Sequence, residues 1–259
     1  MCRMVGRIAV DEEQVSFELL DAPHSLRYLA QHGCQPKDPS ARGPHNDGCG
    51  IAWLSDGEIE VEKRSRENAW DETFVSKLES LSASVFIAHN RLASESLAVS
   101  VEGAHPFTIK AQGREYALCH NGTVNTFVAQ AKARGTSDSK ILLEKLILAD
   151  QPNEPDQILA RVSQIAQNAS FTSMSSLLIT ENQLFAWRIF DPSTNAELRD
   201  RYYTLYLRQT PDSVTLCSEP LDDGEWKLIP NNTFLHFSRR AGAIHVEKFT
   251  LPGANRLAA

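Results

Sequence analysis

The chain opens on Met1-Cys2. An initiator methionine before a small residue is normally trimmed, so the expected mature N-terminus is Cys2. That one residue then carries a thiol and a free α-amine. A thiolate is a good nucleophile, and an α-amine, with a pKa of about 7.7–8.0, is close to ideal as a general base at neutral pH. Nucleophile and base can thus come from the same residue. A small residue entering a first strand accounts for the same dipeptide, so the chemistry depends on partners elsewhere.

Several groups could be those partners. His120-Asn121-Gly122 follows an apolar stretch ending at Cys119. An Asn amide beside a Gly N–H is a pair of donors suited to an oxyanion, although Asn-Gly is also a common turn. His89-Asn90-Arg91 ends another apolar stretch, and an Arg there could clamp a carboxylate with two hydrogen bonds or sit in a structural ion pair. Asp138 stands at a helix start, where a carboxylate binds an ammonium or caps the helix. His105-Pro106-Phe107 is a polar corner before a strand. Asp47-Gly48-Cys49-Gly50 could let the backbone approach a ligand closely, or could be a loop entering a strand. His32-Gly33-Cys34 and His45 with Cys49 repeat no ligand spacing, so no metal site is expected. There is no Walker loop, GxGxxG or GxSxG, and no cofactor is expected.

The elements that must position these residues follow from periodicity and turn chemistry. Residues 4–10 read as a strand and 25–31 as a helix stopped by Gly33. Residues 34–47 read as loop. Strands at 50–54 and 58–64 flank the hairpin signal Ser55-Asp56-Gly57. A helix is expected over 70–81, a strand over 84–89, and a second hairpin over 107–120 with Gln112-Gly113 at its turn. Helices follow at 124–133, 139–148 and 155–169. Strands are expected at 175–180, 184–190, 202–209, 214–218, 233–238 and 243–249. Strands, then helices, then strands again suit one α+β domain with helices outside packed sheets. The alternative is a separate all-β unit from about Ser173.

Composition narrows the function classes. The 259 residues are 42% hydrophobic and 23% charged, with a net charge of −7, ordinary values for a globular protein. No Lys/Arg block occurs, so neither nucleic acid nor an anionic membrane is an expected partner. No apolar run reaches spanning length and no signal-peptide core follows Met1, so a cytoplasmic protein is expected. The five cysteines are odd in number, widely spaced and without a CxxC pair, which fits free thiols in a reducing compartment.

Taken together the motifs are far more specific than singly. Met-Cys, His89-x-Arg91-x-Ala93-Ser94, Ala104-His105-Pro106-Phe107, His120-Asn121-Gly122 and Ser137-Asp138-Ser139 occur in that order. The set resembles the class II glutamine amidotransferases, the glutaminase branch of the N-terminal-nucleophile hydrolases. Ser218-Glu219-Pro220-Leu221 is similar to the stand-alone branch of that family, which includes small γ-glutamyl hydrolases of ergothioneine biosynthesis and glutathione breakdown.

The resemblance implies a four-layer αββα sandwich over residues 2–252, with 253–259 as a tail. It implies Cys2 as nucleophile with its α-amine as base, and Asn121 with the Gly122 backbone as oxyanion hole. Arg91 would hold the α-carboxylate of a γ-glutamyl group and Asp138 its α-ammonium. His105 would stand near the site in support, and Asp47-Gly48 would lie in the substrate loop. Many family members carry Trp where this chain has Leu92, and stand-alone members tend to carry Trp where it has Cys49; both positions help close the pocket. The motifs take up the first half of the chain, and the rest is expected to complete the sheets. The implied reaction forms a γ-glutamyl thioester and releases glutamate with ammonia or an amine. The protein would act alone on a γ-glutamyl small molecule, or deliver ammonia to a separate synthase subunit. The competing reading is a catalytically silent glutamine- or γ-glutamyl-binding subunit of a larger complex. The sequence marks the γ-glutamyl end of the substrate, not the leaving group or the oligomeric state.

Overall fold

Strand β1 (Arg3–Gln14) buries both of its faces: Met4 and Ile8 enter one apolar cluster and Val5 another. Side chains alternate across a strand, so a strand apolar on both sides must be covered twice. The computed structural model describes residues 2–93, 99–148 and 154–251. Met1, Ser94 of the motif quoted above and the expected tail at 253–259 lie outside the described residues.

After β1 the chain forms α1 (Leu26–His32), the short strands β2 (Gly33–Cys34) and β3 (Arg42–Gly43), β4 (Gly48–Ser55), β5 (Glu58–Ser65), α2 (Glu72–Ser80) and β6 (Ser82–Asn90). Next come β7 (Phe107–Ala111), β8 (Arg114–Gly122), α3 (Asn125–Ala133), α4 (Asp138–Ile147) and α5 (Pro155–Asn168). The rest is β9 (Met174–Thr180), β10 (Gln183–Arg188), β11 (Tyr206–Gln209), β12 (Ser213–Cys217), β13 (Lys227–Leu228), β14 (Thr233–Arg240) and β15 (Ala243–Thr250).

Local chemistry explains most boundaries. Ser25 Oγ accepts from the Tyr28 amide at the start of α1, and Asp71 Oδ1 from the Phe74 amide at the start of α2. Glu154 and Gln157 make a reciprocal box at α5, with Pro155 in its first turn. Asp56 and Gly57 (φ 50° and 85°) turn the first hairpin; Gln112 and Gly113 (φ 49° and 76°) turn the second.

One sheet runs β13-β11-β12-β1-β6-β4-β5 and the other β15-β14-β10-β9-β8-β7. Between them lie Met4, Ile8, Val85, Ile87, Ala117, Cys119, Leu177, Ile179 and Leu216. The outer face of the first sheet packs Val5, Phe86 and Ala88 against Leu26 of α1 and Phe74 and Leu78 of α2. The outer face of the second packs Tyr116 and Leu118 under α3, α4 and α5, through Phe127, Leu142 and Val162. This is an α+β fold of four layers, αββα. The strands after Ser173 divide between the two sheets rather than forming a sheet of their own.

Two segments differ from the sequence reading. The strand expected over 202–209 begins only at Tyr206, after a wide helical turn at Leu198–Tyr202. Tyr202 and Tyr203 are both buried in one cluster with Cys34 and Phe190; consecutive strand residues would face opposite ways. Within the expected loop at 34–47, Cys34 and Arg42 pair as a small ribbon. Its partner is remote: Glu219 accepts from the Cys34 amide and pairs with Arg42.

Candidate active site

Three strand ends converge at one end of the sandwich. Cys2 leads into β1, whose Arg3 and Met4 lie opposite Asn90 and His89 at the end of β6. In the facing sheet β8 ends with His120, Asn121 and Gly122. The two sheets touch here through polar groups. Cys2 N lies 3.1 Å from Asn121 Oδ1, and His89 Nε2 lies 3.3 Å from the His120 carbonyl. Cys2, Arg91, Leu92, Ala93, His105, His120, Gly122, Ser137, Asp138 and Ser139 line one narrow cleft.

Cys2 is buried. Burial pushes its thiol pKa up, yet the neighbouring His89, the N-terminal charge and hydrogen bonds from His89 and the Leu92 backbone outweigh it, and the pKa falls to about 5. The sulfur is therefore a thiolate at neutral pH. The other thiols behave oppositely: burial pushes Cys49 up to about 12 and holds Cys119 well above the usual range.

Asn121 is anchored at both ends of its amide. Oδ1 accepts from Cys2 N, and Nδ2 donates to the Tyr202 carbonyl at 3.3 Å. An amide NH2 carries two hydrogens, so the bond to Tyr202 leaves one of them over; Asn121 itself is buried beside the cleft and does not line it, whereas Gly122 does. Gly122 has φ +143°, and a Cβ there would collide with the Ser173 carbonyl. Only glycine fits this turn.

Arg91 and Asp138 line the cleft with opposite charges. Asp138 Oδ2 accepts from the Val124 amide at 2.8 Å, and Ser137 Oγ donates to Oδ1 at 3.2 Å. The helix cap itself falls to Ser137, whose Oγ accepts from the Ser139 amide; Asp138 is the first residue of α4. The Arg91 guanidinium packs on Gly103, where an added Cβ would come within 2.9 Å of Nη1. Gly103→Ala is therefore expected to shift the guanidinium while leaving the fold intact. The variant's melting temperature should match that of the wild type.

His105 is buried against the His89 ring, with centroids 4.0 Å apart, and meets Phe107 edge-on at 4.6 Å. Burial, then the neighbouring His89 and His120, hold its pKa well below the usual imidazole range. Asp47 and Gly48 stand behind the cleft and do not line it. The Asp47 carboxylate takes the Arg66 guanidinium and the Ala93 amide. The Asp47 amide donates to the Arg91 carbonyl, and the Arg91 amide to the Gly48 carbonyl. This pair supports the segment that carries Arg91. Leu92 lines the cleft, whereas Cys49 belongs to the apolar cluster under α1 and α2.

Sequence reasoning assigned no role to His120, Ser139 or His89. His120 bridges Ser139 Oγ (2.9 Å from Nδ1) and the Ser173 carbonyl (3.1 Å from Nε2), and burial lowers its pKa. All three residues stood inside quoted motifs, but adjacency in sequence did not reveal their partners. The Ser218-Glu219 pair proves to be a clamp on β1. Ser218 exchanges hydrogen bonds with Met4, and Glu219 pairs with Arg3. Arg3 in turn donates to the Tyr202 carbonyl, the same oxygen that holds Asn121.

Comparisons with known proteins bear on the fold and the family. No curated protein sequence matches the chain significantly. Among solved structures, the allosteric regulatory enzyme of purine biosynthesis is similar over 97% of this chain and 50% of that one, at 17% identity and a TM-score of 0.65. Glutamine phosphoribosylpyrophosphate amidotransferase from B. subtilis is similar over 97% and 50%, at 18% identity and a TM-score of 0.63. The chain spans about half the length of these two proteins. A glutamine aminotransferase class-II domain protein from Silicibacter pomeroyi is similar over 96% of this chain and 100% of that one, at 17% identity and a TM-score of 0.57. At such identities the likeness is one of fold. The family comparison goes further, because it matches residues 25–250, most of the chain, to the class-II glutamine amidotransferases; Cys2 lies before the matched span. The chain belongs to the class II glutamine amidotransferases.

Proposed function

We propose that residues 2–252 form one catalytic unit that hydrolyses the side-chain amide of glutamine, or the matching amide of a γ-glutamyl compound, through a thioester on Cys2. One observation supports this reading most directly: the Cys2 nitrogen lies 3.1 Å from Asn121 Oδ1, and its side chain shares a cleft with Gly122, Arg91 and Asp138. Met1 must first be removed, so that the Cys2 nitrogen becomes an amine. In the resting pair the thiol proton sits on that amine. The thiolate attacks the δ-carbonyl, a C–S bond forms, and the carbonyl π pair moves onto oxygen. Asn121 Nδ2 and the Gly122 N–H receive this oxyanion. Collapse breaks the C–N bond, and the leaving nitrogen takes the ammonium proton. The neutral amine then accepts a proton from water, which attacks the thioester and releases glutamate and the thiolate.

Arg91 takes the α-carboxylate and Asp138 the α-ammonium. Binding at this remote end holds the carbonyl against sulfur. Asp138→Asn tests this role, because an amide oxygen still accepts from Val124 while the charge is gone. A lost charged hydrogen bond costs roughly 1.5–3 kcal/mol. KM for glutamine should therefore rise about 10- to 100-fold, with kcat changed far less; an unchanged KM would remove Asp138 from substrate binding.

Leu92 lines the cleft, and its position at the pocket's edge, inferred from the family resemblance, leaves the leaving group to be assigned by experiment. The deciding experiment is a panel of γ-glutamyl peptides and amides, with glutamine, run on enzyme whose loss of Met1 is verified by intact mass. Faster cleavage of γ-glutamyl compounds assigns a stand-alone hydrolase. Preference for glutamine, with a stoichiometric synthase in pull-downs, assigns an ammonia-delivering subunit. No turnover of any member by trimmed enzyme overturns the catalytic reading. All five cysteines are unpaired, as suits a reducing compartment such as the cytoplasm.

A further inference from the structure

We propose that Cys2, His89 and His105 form a zinc site that switches the candidate active site off. One donor atom from each residue lies within 4.8 Å of the others, and all three residues are buried. Donors on one tetrahedral zinc stand roughly 3.3–3.6 Å apart, given Zn–S of about 2.3 Å and Zn–N of about 2.0 Å. Small side-chain rotations close that gap.

The ring nitrogens call for a ligand. His105 is 4% exposed, and neither Nδ1 nor Nε2 has a hydrogen-bond partner among the described residues. A buried imidazole with both nitrogens unpartnered is costly unless something else binds it. Nδ1 of His89 has no oxygen or nitrogen partner among the described residues, and the ring's hydrogen bond to the Cys2 sulfur is the contact that zinc would replace. Its Nε2 faces the His120 carbonyl at 3.3 Å. A ligating histidine typically donates its other N–H to a carbonyl, which leaves the remaining nitrogen as a lone pair for the metal. The cis peptide between His105 and Pro106 ends the segment that carries the second ring.

One thiolate and two imidazoles make a borderline-soft donor set that suits Zn2+ and disfavours Mg2+ or Ca2+. The protein supplies three donors, and a water or hydroxide would take the fourth position of a tetrahedral zinc. Binding forms the Zn–S bond, and any proton displaced from the thiol goes to solvent. The sulfur's attacking electron pair is then held by the metal. Substrate cleavage stops until a chelator or competing thiol removes the zinc. This inference concerns the donor atoms and is independent of which amide the site cleaves.

The test uses the full-length, Met1-free protein stripped of metal. Zn2+ is titrated against a chromophoric chelator, and Co2+ is added separately as a spectroscopic substitute. One Zn2+ per chain is expected, and Co2+ should produce a sulfur-to-metal charge-transfer band that Cys2→Ser abolishes. His105→Ala should weaken zinc binding at least about tenfold, with His105→Gln as the replacement if the alanine variant does not fold. In the wild-type protein, Zn2+ should slow iodoacetamide alkylation of Cys2, read by peptide mass, at least tenfold, and EDTA should restore it. Absence of stoichiometric uptake, or uptake that leaves Cys2 alkylation unchanged, overturns the proposal. Either result leaves the glutaminase reading to be judged by its own substrate panel.

Discussion

Cys2→Ala is expected to lose glutamine hydrolysis by at least about 10^4-fold while retaining glutamine binding. Removing the nucleophile of a covalent mechanism costs the whole route, because the other groups act as a unit with it. Binding should survive, since Arg91 and Asp138, the proposed anchors of the amino-acid end, are untouched. The comparison has a real competitor in the same cleft. Ser139 Oγ lies 2.9 Å from His120 Nδ1, a hydroxyl–imidazole pair of ordinary geometry. Burial makes His120 a poorer base than a free imidazole, whereas the Cys2 sulfur is ionised above pH of about 5. Activity undiminished in Cys2→Ala would transfer the chemistry to Ser139.

The same ionisation has a pH signature. The Cys2 pKa is depressed, so the reactive thiolate predominates above pH 5 and is lost as pH falls through that value. Alkylation of Cys2 by iodoacetamide should be half-maximal near pH 5 and fall about tenfold per unit below it. A midpoint near that of an ordinary thiol, about 8.5, would sink the activation argument.

Asn121→Ala should lower kcat about 10^2- to 10^3-fold, the roughly 2.7–4 kcal/mol associated with removing one oxyanion donor. KM should move much less, because the role proposed for Asn121 is at the reacting carbonyl and not at the amino-acid end. Alanine also removes the oxygen that receives Cys2 N, so Asn121→Asp separates the two roles. Aspartate keeps an acceptor for Cys2 N but presents no donor when ionised. If Asn121 serves the oxyanion, both variants lose kcat comparably. If it only orients Cys2, the aspartate variant stays near wild type. Thermal melts provide the control: the Tyr202 carbonyl loses its Asn121 donor but keeps the Arg3 Nη1 contact at 3.4 Å.

The network behind Asn121 shows where sequence reasoning reaches its limit. The hairpins at Asp56-Gly57 and Gln112-Gly113 and the helix from Pro155 rest on interactions among near neighbours, and each was legible in the sequence; the Glu154–Gln157 box at the start of that helix was not read there. So was the alternation that buries Met4 and Val5 on opposite sides of β1. The expected strand at Tyr202 failed because its two tyrosines fill one pocket with Cys34 and Phe190, residues distant in sequence. Glu219 clamps Arg3 and Cys34 from 216 and 185 positions away. Asp47, expected beside the substrate, is occupied by Arg66 and the Ala93 amide and supports Arg91 from behind. No local pattern encodes such pairings.

The sequence by itself determined the inventory: a thiol at position 2, an Asn-Gly pair after one apolar strand, an arginine after another, and an aspartate at a helix start. It also determined the α+β order, because apolar spacing and turn residues act within a few positions; the four layers came only with the family resemblance of the motifs. Only the tertiary structure decided which of these meet. Cys2 and Asn121 are 119 residues apart and belong to different sheets. They lie 3.1 Å from each other because burying Met4, Ile8, Ala117 and Cys119 presses those sheets together. That same closure stacks His89 on His105, sets both beside the sulfur and lowers the Cys2 pKa. A pKa depends on charges and burial in three dimensions, so the reactivity of Cys2 is a property of the folded sandwich.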